Sequence, residues 1–170
     1  MARFLIPTGL LILLSLTAAC GFKPLYGSNS GGNVPTLAAI EIAPIEDRLG
    51  QMIRNELLDR LTPNGQPANP LYRLTVDAQS TESRFGADVA SFRTRANRRI
   101  DARFTISEIA TGNSVFSQTT YVTSSYDVLS NAFATQVAKE NAEARSATIL
   151  AEDIRAKVAI FLDQRARGLR

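Results

Sequence analysis

Apolar residues along the chain recur in two rhythms, and together these outline a fold. From Leu71 to Gln79 the even positions Tyr72, Leu74, Val76 and Ala78 are apolar, while Arg73, Thr75, Asp77 and Gln79 are polar. From Arg99 to Ala110 the alternation sets Ile100, Ala102, Phe104 and Ile106 against Arg99, Asp101, Arg103 and Thr105. Successive side chains on a strand point to opposite faces, so both stretches predict half-buried antiparallel strands. Thr111-Gly112-Asn113 is a turn signal. Ser114–Val128, rich in Thr, Ser, Tyr and Val with poorer alternation, reads as an edge strand. A short apolar run, Leu37 to Ile42, predicts a buried strand that ends before Pro44.

The second rhythm is helical. Leu49, Ile53, Leu57 and Leu61 recur every fourth residue and Met52 joins them, one face of a helix that starts near Glu46 and stops at Pro63-Asn64-Gly65. A last helix runs from about Ala132 to Arg165, with Val137, Ala144, Ala147, Ala151, Ile154, Val158 and Phe161 at three-four spacing. Its length is about 50 Å at 1.5 Å per residue. The order β-α-β-β-β-α predicts an α+β fold: two helices packed on one face of a mostly antiparallel four-stranded sheet. One domain is expected over 37–170.

The N-terminus follows neither rhythm. Met1-Ala-Arg3 is a short basic start, and Phe4 to Leu16 is almost wholly apolar. That run falls short of the roughly 20 apolar residues that span a bilayer and matches a signal-peptide core. It closes in Leu16-Thr17-Ala18-Ala19-Cys20, small residues before the chain's single cysteine. The pattern resembles a bacterial lipobox, with Thr17 where Leu is common. It predicts cleavage of 1–19 and lipidation of Cys20, the alternative being an ordinary cleaved signal that leaves a free cysteine. Residues 20–36 then form the lipidated N-terminus and a tether. Its Gly27–Thr36 part, rich in Gly, Ser and Asn, has an r.m.s. span of roughly 17 Å.

Composition removes much of the chemistry an envelope protein could carry. His is absent and Cys occurs once, so the imidazole-dependent nucleophilic arrangements are excluded and zinc, copper and haem sites lose their usual ligands. No phosphate-binding glycine loop, nucleophile elbow or calcium loop is present. A carboxylate pair for glycoside chemistry needs only spatial proximity and stays open, but no enzyme and no cofactor are expected. The net charge of +3 raises anionic partners. For an exported chain these are phosphorylated lipids and acidic glycans, not nucleic acid.

Cys20-Gly21-Phe22-Lys23-Pro24-Leu25-Tyr26-Gly27 resembles the mature start of alphaproteobacterial LPS-assembly lipoproteins of the LptE family. Ala138, Ala142, Arg145, Leu150-Ala151 and Ile154 resemble that family's Ala-rich closing helix. The resemblance implies a lipoprotein on the periplasmic side of the outer membrane. Its partner would be an LptD-type outer-membrane β-barrel, and it would assist lipopolysaccharide (LPS) assembly at the cell surface. Gly21 agrees with this, since Asp there often signals inner-membrane retention. The rival class is an auxiliary lipoprotein of an ABC-type intermembrane lipid transporter. A peptidoglycan-binding scaffold is a third, with no motif to support it.

Arg84, Arg93, Arg95, Arg98, Arg99 and Arg103 cluster around one strand connection. Arg93, Arg95, Arg99 and Arg103 share odd parity, which places them on the wet face opposite Ile100 and Phe104 if the strand is regular from Phe92. Arginine binds phosphate and carboxylate bidentately, so these four are candidate LPS or barrel contacts. The alternative is a solvated face, with Asp101 or Asp77 pairing the arginines.

Overall fold

In a computed structural model of the protein, residues 37–85 and 95–168 are described. Cys20, the tether and Arg93 lie outside them. The elements follow the expected order: β1 (Ile40–Ile42), α1 (Asp47–Leu61), β2 (Tyr72–Phe85), β3 (Arg95–Glu108), β4 (Ser114–Asp127) and α2 (Ala132–Ala166). The four strands form one sheet in the order β1-β2-β3-β4. β1 runs parallel to β2, because α1 carries the chain back across; the other pairings are antiparallel. The sheet is therefore mixed, antiparallel over all but its shortest strand.

β2, β3 and β4 are each 14 residues long. Their register places even residues of all three on one face: Val76 opposite Phe104, Phe104 opposite Gln118, Ile100 opposite Val122. Both helices cover that face. Ile53 and Leu57 of α1 meet Leu74, Ile100, Phe104 and Ile106 of the sheet and Leu150, Ile154 and Val158 of α2, in one cluster of buried side chains. Phe116 links the sheet to α2, tilted on Phe104 at 5.9 Å between ring centres and stacked on Phe161 at 4.5 Å.

The ends of the helices are chemically fitted. Asn131 accepts hydrogen bonds from the amides of Phe133 (2.9 Å) and Ala134 (3.2 Å), a side-chain cap on α2. Asp47 opens α1 and Arg60 lies in its last turn, each matching the charge of its helix end.

In α2 the expected face is half right. Ala147, Ala151, Ile154 and Val158 are buried, but Val137 and Ala144 are exposed and Phe161 is partly covered. Val137, Ala144, Ala151 and Val158 are spaced by sevens, and an α-helix drifts by about 20° per seven residues. Over 35 residues the stripe winds off the sheet. Ala142, Glu143 and Ser146 take the inward positions in the first half, and the core there turns polar.

Gly50 is where α1 approaches the loop from β1. A Cβ there would lie 2.5 Å from the Cγ2 of Ile45, itself buried. Gly50→Ala should therefore destabilise the fold, although alanine favours a helix over glycine by roughly 1 kcal/mol. Overpacking typically costs about 1–3 kcal/mol. A thermal melt should show Gly50→Ala some degrees below wild type; an equal or higher midpoint would mean that the loop yields freely.

Candidate functional site

The face turned away from the helices is polar from edge to edge. Its β4 residues are Ser117, Thr119, Tyr121, Thr123, Ser125 and Asp127, and β2 adds Thr75, Asp77, Gln79, Thr81 and Ser83. Tyr121, a large ring on this face, is 62 % exposed. Arg95, Arg99 and Arg103 lie along the central strand of this face, all exposed, so the parity expected of them is what the register produces.

Their surroundings differ. The Arg95 guanidinium stands 3.7 Å from the Asp127 carboxylate across the β3–β4 pair. Arg99 clamps Asp101 through Nε and Nη2 at 2.7–3.0 Å and lies 3.8 Å above the Tyr121 ring. That hydrogen-bonded clamp holds the Asp101 carboxyl below its ordinary 3.8. Arg103 has Asp77 and Thr119 as cross-strand neighbours and forms no ion pair with a described residue. Across the described sheet, Arg73, Arg95, Arg99 and Arg103 face as many carboxylates, those of Glu41, Asp77, Asp101 and Asp127. The face is charge-balanced and hydrophilic, and Arg103 is its most available cation among the described residues.

Arg84 and Arg98, members of the same sequence cluster, have even parity and belong to the helix side. Arg98 is 15 % exposed and bonds Glu143 of α2 at 3.2 Å and Glu82 of β2 at 3.6 Å. Lys139 reaches Glu82 at 3.6 Å, and Arg48 of α1 reaches Glu143 at 3.9 Å and Glu140 at 3.4 Å. This network ties both helices to the sheet where the apolar core ends. Glu82 and Glu143 were not singled out from the sequence. The signal was Arg98 itself, an arginine at an inward position between Ala96 and Ile100, which demands a buried carboxylate. Among the described residues no cluster of acidic side chains is arranged to hold a metal ion. No described helix is long and apolar enough to cross a membrane.

Comparison with known proteins identifies this architecture. A family model described as LptE, lipopolysaccharide-assembly, matches residues 36–158. The chain belongs to the LptE family. Its fold is shared with a candidate lipoprotein of Caulobacter crescentus CB15 at 22 % identity and a TM-score of 0.65, covering 77 % of this chain and 96 % of that one. A minor lipoprotein of Acinetobacter baumannii is similar at 21 % identity and a TM-score of 0.53, covering 71 % and 90 %. Rare lipoprotein B of Shewanella oneidensis follows at 13 % identity and a TM-score of 0.54, covering 72 % and 92 %. No curated protein matches the sequence. Family membership makes this a lipopolysaccharide-assembly protein of the cell envelope. The two-helix, four-stranded frame is thus the LptE frame, and the polar sheet face and its arginines are features of an LptE-type protein.

The partly buried network makes the stability of this LptE-family protein depend on pH. A hydrogen bond from Tyr126, with help from Arg84 and Lys139, holds the Glu82 carboxyl below its ordinary 4.5 against the opposing effect of burial. A carboxylate whose folded pKa is depressed stabilises the fold above its unfolded value, and that stability is lost as pH falls through the folded value. The melting temperature should therefore fall as pH drops below about 4.5, the ordinary glutamate value. Glu82→Gln should lower stability at pH 7 by about 1–3 kcal/mol and flatten the acid limb. An acid limb as steep in Glu82→Gln as in wild type would remove Glu82 from the account.

Proposed function

We propose that this protein is an outer-membrane lipoprotein, anchored from the periplasmic side by lipid on Cys20, that partners an LptD-type β-barrel and assists LPS assembly at the cell surface. The observation that carries the reading is the polar sheet face on an LptE-family frame. A surface of serine, threonine and balanced charge can lie in the water-filled interior of a barrel without desolvating an unpaired ion. On that face Arg103 and Arg95, with Arg93 and Arg99 beside them in sequence, contact either the phosphate and carboxylate groups of LPS or the barrel wall. Arg103 comes first, since a guanidinium already clamped on a carboxylate, as in Arg99, has fewer donors to offer. Two or more acyl chains on Cys20 would make the attachment effectively permanent, because one chain anchors only marginally. The domain would span 37–170, after a leader of 1–19 and a tether of 20–36.

Affinity purification from detergent-solubilised outer membranes tests the partnership. A large β-barrel should be the main co-purifying protein; a transporter complex, or no partner, would contradict the reading. Mass spectrometry of the same preparation should find the chain starting at an acylated Cys20. An unmodified cysteine, or a start elsewhere, would overturn the anchor.

The arginines are tested by LPS binding to the mature protein. Arg99→Glu with Arg103→Glu should leave the melt within a few degrees of wild type, as exposed charges contribute typically under about 1 kcal/mol each. The double variant should bind LPS more weakly, and added salt should weaken wild-type binding. Equal binding by both proteins would assign the face to solvation or to the barrel alone.

A further inference from the structure

β4 is an edge strand of an unusual kind. Protein sheets guard such edges with charge, proline, bulges or shortness, because an open edge is a template for another strand. β4 runs 14 residues, and from Ser114 to Tyr126 it holds no charged residue, proline or glycine. Its charged neighbours stand on the strands further inside the sheet, Arg95 to Arg103 on β3 and Arg73 to Arg84 on β2. One register irregularity occurs, at Ile106/Ser107 near the start of β4, and the pairing from Phe116 to Asp127 is unbroken. Among the described residues β4 pairs with β3 alone, and no other backbone hydrogen bond reaches it.

Beside this edge lies a hollow of about 340 Å³ between β4 and α2. Thr119, Thr120 and Tyr121 form one wall; Ile149, Leu150 and the ion-paired Asp153 and Lys157 form the other. Ile149 is 50 % exposed there, an apolar side chain on a long helix with no described residue over its outer half.

We propose that β4 is a docking edge that receives an extended segment of a partner protein as a fifth strand. The segment is uncharged along the pairing and apolar at alternate positions, those that enter the hollow against Ile149 and Leu150. Hydrogen bonds between main chains supply affinity and the hollow supplies selection, as in strand-addition recognition generally. A second copy of this chain fits less well. The inward side chains Val122 and Tyr126 of its own β4 are already buried, so they cannot fill a neighbour's hollow.

The test places a photoreactive amino acid at Ser117, Thr119 or Thr123 of the full-length protein in living cells and maps each adduct by mass spectrometry. Side chains along one paired strand meet successive positions of its neighbour. The three attachment sites should therefore step in order along one segment of another protein. Ile149→Glu should cut adduct yield roughly tenfold, since it replaces the exposed apolar side chain of the hollow by a second carboxylate beside Asp153. Ile149→Ser should act in the same direction but less, and serves if the glutamate variant fails to fold. Absence of adducts, adducts scattered without order, or adducts to a second copy would each overturn the proposal. The barrel partnership fails separately. Ordered adducts to a protein that is not a β-barrel keep the docking edge and contradict the barrel, whereas a co-purifying barrel with no ordered adducts does the reverse.

Discussion

Every feature of this molecule depends on the phase of side-chain alternation across β2, β3 and β4. A shift of one residue in either pairing would carry Ile100, Phe104 and Ile106 to water and bring Arg99, Asp101 and Arg103 under the helices. That exchange would expose the core and bury three charges, so the register is strongly specified. The same constraint creates both surfaces at once. One face can be packed by helices only because the other holds every polar residue that the strands carry in odd positions.

The inner face is not apolar along its whole length, and the change in its chemistry explains how α2 is held. Towards the starts of β2 and β4 the contacts are Phe104, Phe116 and Phe161 with the aliphatic cluster. Towards the start of α2 they become polar: Ser124 and Ser146 hydroxyls meet at 2.7 Å, and Arg98 lies between Glu82 and Glu143. Buried ion pairs contribute little net stability over a well-packed apolar substitute, but removing one partner is costly. Their effect here is geometric, fixing how the first half of a 35-residue helix lies on the sheet.

Much of the fold was legible because long strands with one wet face repeat their signal many times. β2 and β3 alternate over enough residues to fix parity, so Arg95, Arg99 and Arg103 could be placed on the wet face from spacing alone. The sequence was silent where an interaction joins residues far apart. Nothing near Arg99 says that Tyr121 lies beneath it, and nothing near Arg98 names Glu143 as its partner. The α2 stripe departs from the expected face at Val137 and Ala144 because sevenfold spacing departs from the pitch of a straight helix. Asp77 and Asp101 were legible as carboxylates near the arginines, but the full charge balance of the outer face appeared only once register brought Glu41 and Asp127 beside them.

The central claim, two faces of opposite chemistry set by one register, is tested most directly by hydroxyl-radical footprinting of the mature protein with mass-spectrometric readout. Tyr121, 62 % exposed on the outer face, should oxidise rapidly, while Phe104 at 0 % and Tyr126 at 6 % should be protected until the protein unfolds. Oxidation of Phe104 or Tyr126 at a rate comparable to Tyr121 in the folded protein would contradict the account.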